Sequence, residues 1–145
     1  MALHIKHFTE LSLEELYGLL QLRSEVFVVE QSCVYQDLDG NDRKAYHVFL
    51  EQEGTIRACA RFFLKNPREA TIGRVVACTQ VRGTGAALRL MCEAIRSCRE
   101  HFPGLPIVIH AQSYAKGFYQ KCGFQVTSKE FLEDLIPHVE MTLMP

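Results

Sequence analysis

A chain of 145 residues has the length of one ordinary domain and is long enough to bury a core. With 48% hydrophobic residues, 23% charged residues and a formal net charge of −1, it has neither a general basic field to attract nucleic acid nor an acidic tail. Its longest apolar runs, near "VFVV" and "PIVI", fall far short of a membrane span, and no signal peptide is read ahead of the first periodic segment. The expectation is a cytoplasmic protein with no membrane and no nucleic-acid partner.

In chain order, "HIKHF" reads as a short strand. "SLEELYGLLQLRSEVF" carries apolar residues at 13, 16, 17, 20 and 27, a helical stripe, and Ser12 with Glu15 has capping-box spacing at its start. Residues 31 to 45 are polar and turn-rich and predict a loop. "YHVFLEQEG" and "IRACARFFL" are strand-like runs around "EGT", a hairpin signature, and "NPRE" turns the chain into "ATIGRVVAC", a third strand. From Gly85 the period changes. Leu88, Met91, Cys92, Ile95 and Phe102 share one helical face, with Arg89, Glu93, Arg96 and Glu100 opposite. "FPGLP" ends that helix, and "IVIHA" is a buried strand by its β-branched content. "YAKGFYQKC" is a short helix capped by Gly123, and "FQVTS" and "HVEMTLM" close the chain as strands.

This order predicts a mixed sheet with helices packed on it, a single α/β domain over residues 1–145. The strand at 70–78, the helix at 85–101 and the strand at 106–111 form a right-handed crossover. The turn "TQVRGTG", residues 79–85, therefore lies at the carboxyl end of a central strand, where open α/β sheets bind ligands. A helix N-terminus offers unpaired N–H groups and a dipole that favours an anion. Gly83 and Gly85, with the amides of Arg82, Thr84 and Ala86, can cradle a phosphate, to which Arg82 adds charge. The plainer reading is a tight connection in which glycine tolerates positive φ. No P-loop lysine is present, and Leu88 stands where a dinucleotide fingerprint needs its third glycine. "QVRGTG" does satisfy Q/R-x-x-G-x-G/A, at Gln80, Gly83 and Gly85.

That turn resembles the acyl-coenzyme A pyrophosphate loop of the GNAT N-acetyltransferase superfamily. "AKGFYQKCGF" is similar to the family's A-x-x-x-Y-x-x-x-G-F segment, with Ala115, Tyr119, Gly123 and Phe124 in register. "LYGLLQLRSEVFVVEQ", "IGRVV" and "FLEDLIPHVEM" extend the resemblance, to the superfamily's ElaA-like branch, from about residue 11 to the C-terminus. The resemblance implies an acyl-CoA N-acyltransferase fold with a mostly antiparallel central sheet and helices on both faces. It implies acetyl-CoA as cosubstrate, with no metal, and an N-acetyltransferase that passes the acetyl group directly to a primary amine, of a small molecule or a peptide, in a ternary complex. The contrasting reading is a non-catalytic acyl-CoA-binding or partner-binding module on the same fold.

By that resemblance the backbone of Val75, Val76 and Ala77 pairs with the pantetheine arm, and Gln80 to Ala86, Val81 included, form the cradle. Gln112 stands where many members carry an asparagine that contacts the cofactor arm. Tyr119 is the expected general acid for the departing thiolate; a phenol of pKa about 10 is a donor at neutral pH. The general base is open among Glu30, which is also a candidate acceptor contact, Asp37, Asp39, His47, Glu133 and His138. Arg61 and Arg74, on otherwise apolar strands, need carboxylate partners. "DLDGND" lacks the spacing of a calcium loop, and the scattered histidines, His4 and His7 among them, make no zinc site. Six cysteines without a CxxC pair are expected as reduced thiols. Oligomeric state stays open, a homodimer included.

Overall fold

The computed structural model describes residues 1–145. Its eight strands form one sheet: β1 (Ala2–His7), β2 (Tyr46–Gln52), β3 (Thr55–Asn66), β4 (Glu69–Ala77), β5 (Ile107–Gln112), β6 (Gln125–Val126), β7 (Phe131–Glu133) and β8 (Ile136–Leu143). They run in the order β1-β2-β3-β4-β5-β8-β6, with β7 also paired to β8. Every pairing is antiparallel except β4 with β5, the parallel pair that the crossover through a helix requires. The helices are α1 (Leu13–Arg23), α2 (Ala86–His101) and α3 (Lys116–Lys121).

Strand alternation separates two cores. Val48, Leu50, Ala58, Ala60 and Phe62 face α2, where Leu90, Met91 and Ala94 meet them. Phe49, Cys59 and Val76 point the other way and pack against Leu19, Leu22 and Val26 of α1 and its extension. The predicted helix starts hold. Ser12 accepts the Glu15 amide while Glu15 returns a bond to the Ser12 amide.

Two predicted stripes need correction. In α1, Leu13 and Tyr17 are exposed, and the buried face is Leu19, Leu22 and Arg23, continued by Val26 in the turns that follow. That face has helical spacing, but it contains an arginine, so a search for apolar residues misplaces it. In α2, Leu88 and Cys92 are exposed, and Ala86, Leu90, Met91, Ala94 and Cys98 are buried. Alanines mark where the helix lies close to the sheet, and a hydropathy reading underweights them. β7 is a further strand that the sequence reading left unassigned, and all six cysteines are free thiols.

Candidate active site

The site begins with a fault in β4. Its register against β3 pairs Gly73 with Arg61 and Val76 with Cys59, so Arg74 and Val75 together oppose Ala60 alone. This is a β-bulge, and Arg74 takes a left-handed φ of 50° at it. A non-glycine residue there costs about 1–2 kcal/mol and persists only where its surroundings hold it. Here they do: the Arg74 guanidinium stands 2.8 Å from Asp37 Oδ1, donates to the Asp37 carbonyl at 2.9 Å and covers the Tyr35 ring at 5.6 Å. β4 parts from β5 before the bulge is reached. The two strands register only at Ala70 and Ile107, and the edge of Val75 to Ala77 stays open toward a groove of about 440 Å³.

Into this groove come Val75, Val76, Ala77 and Arg82 from the β4 side, Gln112, Tyr119 and His138 from the side of β5 and β8, and Glu30 from the extension of α1. Glu30 arrives on a run of wide, π-helical turns over Ser24–Glu30 that continues α1, with Gln31 N–H bonding back five residues to Val26. The Tyr119 hydroxyl has no protein hydrogen-bond partner, and burial raises its pKa above the ordinary phenol value, so it remains a proton donor at neutral pH.

Beyond Arg82 the chain makes the glycine turn. Gly83 and Gly85 hold φ of 77° and 85°, and a Cβ built at either would meet nothing within 4 Å. Both therefore satisfy the backbone requirement and leave open space in front of it. The predicted set of donors shifts by one position. The amides of Arg82, Thr84 and Ala86 bond to Thr79 O, Val81 O and Thr84 Oγ1, whereas those of Gly83, Gly85, Ala87 and Leu88 have no protein acceptor. Val81 anchors the turn in the core, and Gln80 borders a separate recess beside Tyr17 and Arg57.

Three of the candidate bases lie outside the groove. Arg23, Arg61 and Arg74 interlock with Asp37, Asp39 and Asp42 in a cluster that ties the loop at 31–45 to the sheet. Burial alone would raise the Asp39 and Asp42 carboxyls, but hydrogen bonds from Arg61 to Asp39 and from Arg23 to Asp42 overcome it and hold both below the usual range. His47 is buried with Nε2 on the Asp42 carbonyl at 3.0 Å, and desolvation lowers its pKa. The cluster supplies Arg61 and Arg74 with the carboxylate partners they were expected to need.

Glu133 and His138 do stand in the groove, in company the sequence reading missed. Glu133 Oε1 lies 2.9 Å from His110 Nδ1, and Oε2 lies 3.6 Å from His138 Nε2. In "IVIHAQ" the one polar residue amid a buried strand was the available signal for His110: Ile107 to Ile109 and Ala111 are buried and His110 is exposed.

The Acetyltransferase (GNAT) domain family matches residues 9–145. Protein ElaA of Escherichia coli K12 is 38% identical over 139 residues, spanning 93% of this chain and 91% of its own. The crystal structure of Escherichia coli ElaA superposes with a TM-score of 0.94 over 99% of each chain. That of an acyl-CoA N-acyltransferase from Pseudomonas aeruginosa does so with a TM-score of 0.93 and 36% identity over 98% of each.

Proposed function

Because the chain belongs to the GNAT acetyltransferase family, we propose that it transfers the acetyl group of acetyl-CoA to a primary amine, carried by a small molecule or a peptide, within a ternary complex. One observation carries the reading: the open strand edge at Val75 to Ala77 and the unpartnered Tyr119 hydroxyl line one groove, which reaches Arg82 at the head of the turn whose four amides lack acceptors.

In this reading the amides of Gly83, Gly85, Ala87 and Leu88 hold the diphosphate, and Arg82 supplies charge. The pantetheine arm lies along Val75 to Ala77 as an added strand, with Gln112 across the groove from it. A backbone N–H of β4 faces the thioester oxygen and stabilises the oxyanion, an effect of about 3 kcal/mol when the donor is preorganised. The amine nitrogen bonds to the acetyl carbon, the carbon–sulfur bond breaks, and Tyr119 protonates the leaving sulfur. Glu30, across the groove, contacts the acceptor. Six free thiols suit a reducing compartment, and the cytoplasm is the proposed place of work.

The test is release of coenzyme thiol by wild type and by Tyr119→Phe against a panel of alkyl diamines, lysine and peptides with free N-termini. Wild type should turn over, and the variant should lose about 100-fold in kcat at unchanged acetyl-CoA affinity. Acetyl-CoA binding with no transfer to any amine would instead mark a binding module.

A further inference from the structure

Resting on the acetyl-transfer reading, we propose that His110 is the general base of this site, with Glu133 as its orienting carboxylate. The residue types and their distances carry this. An ionised carboxylate only accepts hydrogen bonds, so at 2.9 Å from Glu133 Oε1 the His110 Nδ1 bears the hydrogen. The neutral ring then keeps its lone pair on Nε2, and His110 lines the groove that Tyr119 also lines. A base fixed in one tautomer by a carboxylate behind it, with the other nitrogen free, is the general requirement for drawing a proton from a nucleophile.

His138 does not fill that role. It is 7% exposed, its Nδ1 donates to the Ile136 carbonyl at 2.7 Å, and its Nε2 faces Glu133 Oε2. Phe131 fixes both rings, edge-on to His110 at 5.1 Å and stacked on His138 at 6.1 Å. The hairpin that brings Glu133 over β5 turns through Asp134 and Leu135, at φ of 51° and 62°. Two successive left-handed residues without a glycine make a strained turn, of the kind that accumulates at functional sites. Asp37 and Asp39 are committed to arginines and His47 to the Asp42 carbonyl, while Glu30 lies beside Arg82 at the turn end of the groove.

The step balances. His110 Nε2 accepts the proton that leaves the amine as the carbon–nitrogen bond forms, and Tyr119 gives its proton to sulfur as the carbon–sulfur bond breaks. A proton passed from the imidazolium to the phenolate through groove water restores both. Besides Glu133 and His138, the charged and titratable groups near His110 are Glu140, its cross-strand partner on β8, bonded to Thr127 Oγ1, Asp134 in the turn, and Tyr114 and Tyr119 along the groove.

The experiment is the pH profile of kcat/KM for wild type, His110→Gln and Glu133→Gln on the amine panel, with the acetyl-CoA thermal shift measured in parallel. Wild type should show an acidic limb. His110→Gln should lose that limb and about 100-fold or more in kcat, and Glu133→Gln should lower kcat by less, because an amide oxygen still accepts from Nδ1. Both variants should keep the thermal shift. A wild-type limb and rate in His110→Gln would overturn the dyad, whereas a wild type that binds acetyl-CoA and acetylates nothing overturns the transferase reading instead. Nitrogen NMR of the His110 ring needs no acceptor. The proposal expects Nδ1 protonated in wild type at pH 8 and that preference lost in Glu133→Ala, and a ring protonated at Nε2 in wild type overturns it.

Discussion

The Arg82 guanidinium stands 2.7 Å from the Glu30 carboxylate, and its Nε donates to the Ala77 carbonyl at 3.0 Å. It thereby spans the groove at the point where the freed edge of β4 runs into the glycine turn. Both side chains are about two-fifths exposed, at 43% and 41%, so the pair is weak and exchangeable, of order 0–1 kcal/mol. An incoming diphosphate competes with Glu30 for the same guanidinium. Glu30→Gln should therefore tighten acetyl-CoA binding by a few-fold, read by calorimetry at low salt. Weaker binding in that variant would show that Glu30 supports Arg82 rather than competing for it.

Gly83→Asp places a carboxylate where the cradle is open and leaves the rest of the turn unobstructed. The left-handed backbone makes the substitution cost about 1–2 kcal/mol, so the protein should still fold with a slightly lower Tm. The expected result is loss of the Tm increase that acetyl-CoA confers on wild type by mass action. A full increase in the variant removes the cradle from the binding site.

Asp42 sits between Arg23 and Arg61, at 2.8 Å from each. Asp42→Ala leaves two buried cations without their shared partner and should cost about 3–5 kcal/mol. In a domain of this size that is a fall in Tm of about 10 °C or more, measurable by calorimetry. Its depressed folded pKa also gives a sign: the stabilisation is complete above the unfolded carboxyl value of about 4 and disappears as pH falls below it toward the folded value. The variant should have a flatter acid limb of stability.

His47 predicts a second, milder window. Burial lowers its folded pKa below the ordinary value of about 6.5, so the unfolded chain takes up a proton first as pH falls. Stability should decline from about pH 6.5 downward until the folded ring also protonates. Denaturant unfolding between pH 7 and 5 should show that slope in wild type and lose it in His47→Gln.

Sequence and structure agree most closely where a motif constrains the backbone. The glycine turn, the capping box at Ser12 and the crossover from β4 through α2 to β5 each depend on local chemistry that residue type reveals. They part where a polar residue does the work of a core residue. Arg23 occupies a buried helical position because Asp37 and Asp42, 14 and 19 residues on, neutralise it, and no local pattern announces such partners. His110 was likewise hidden: its partner Glu133 is 23 residues away and reaches it only because β7 folds back on β8. The free amides of the turn differ by one position from those expected, because the carbonyls of Thr79 and Val81 and the Thr84 hydroxyl take up the amides of Arg82, Thr84 and Ala86.

The bulge at Arg74 sets a rule for how this protein can vary. The backbone that borders its cleft is set by one strand that carries a residue too many. Exchange of side chains along Val75 to Ala77 alters the lining and leaves the opening. Removing a single residue there would restore the β3–β4 ladder and take Arg74 out of the left-handed conformation that aims its guanidinium at Asp37 and Tyr35. Chain length at this one position is thus under tighter constraint than the identity of any residue in it.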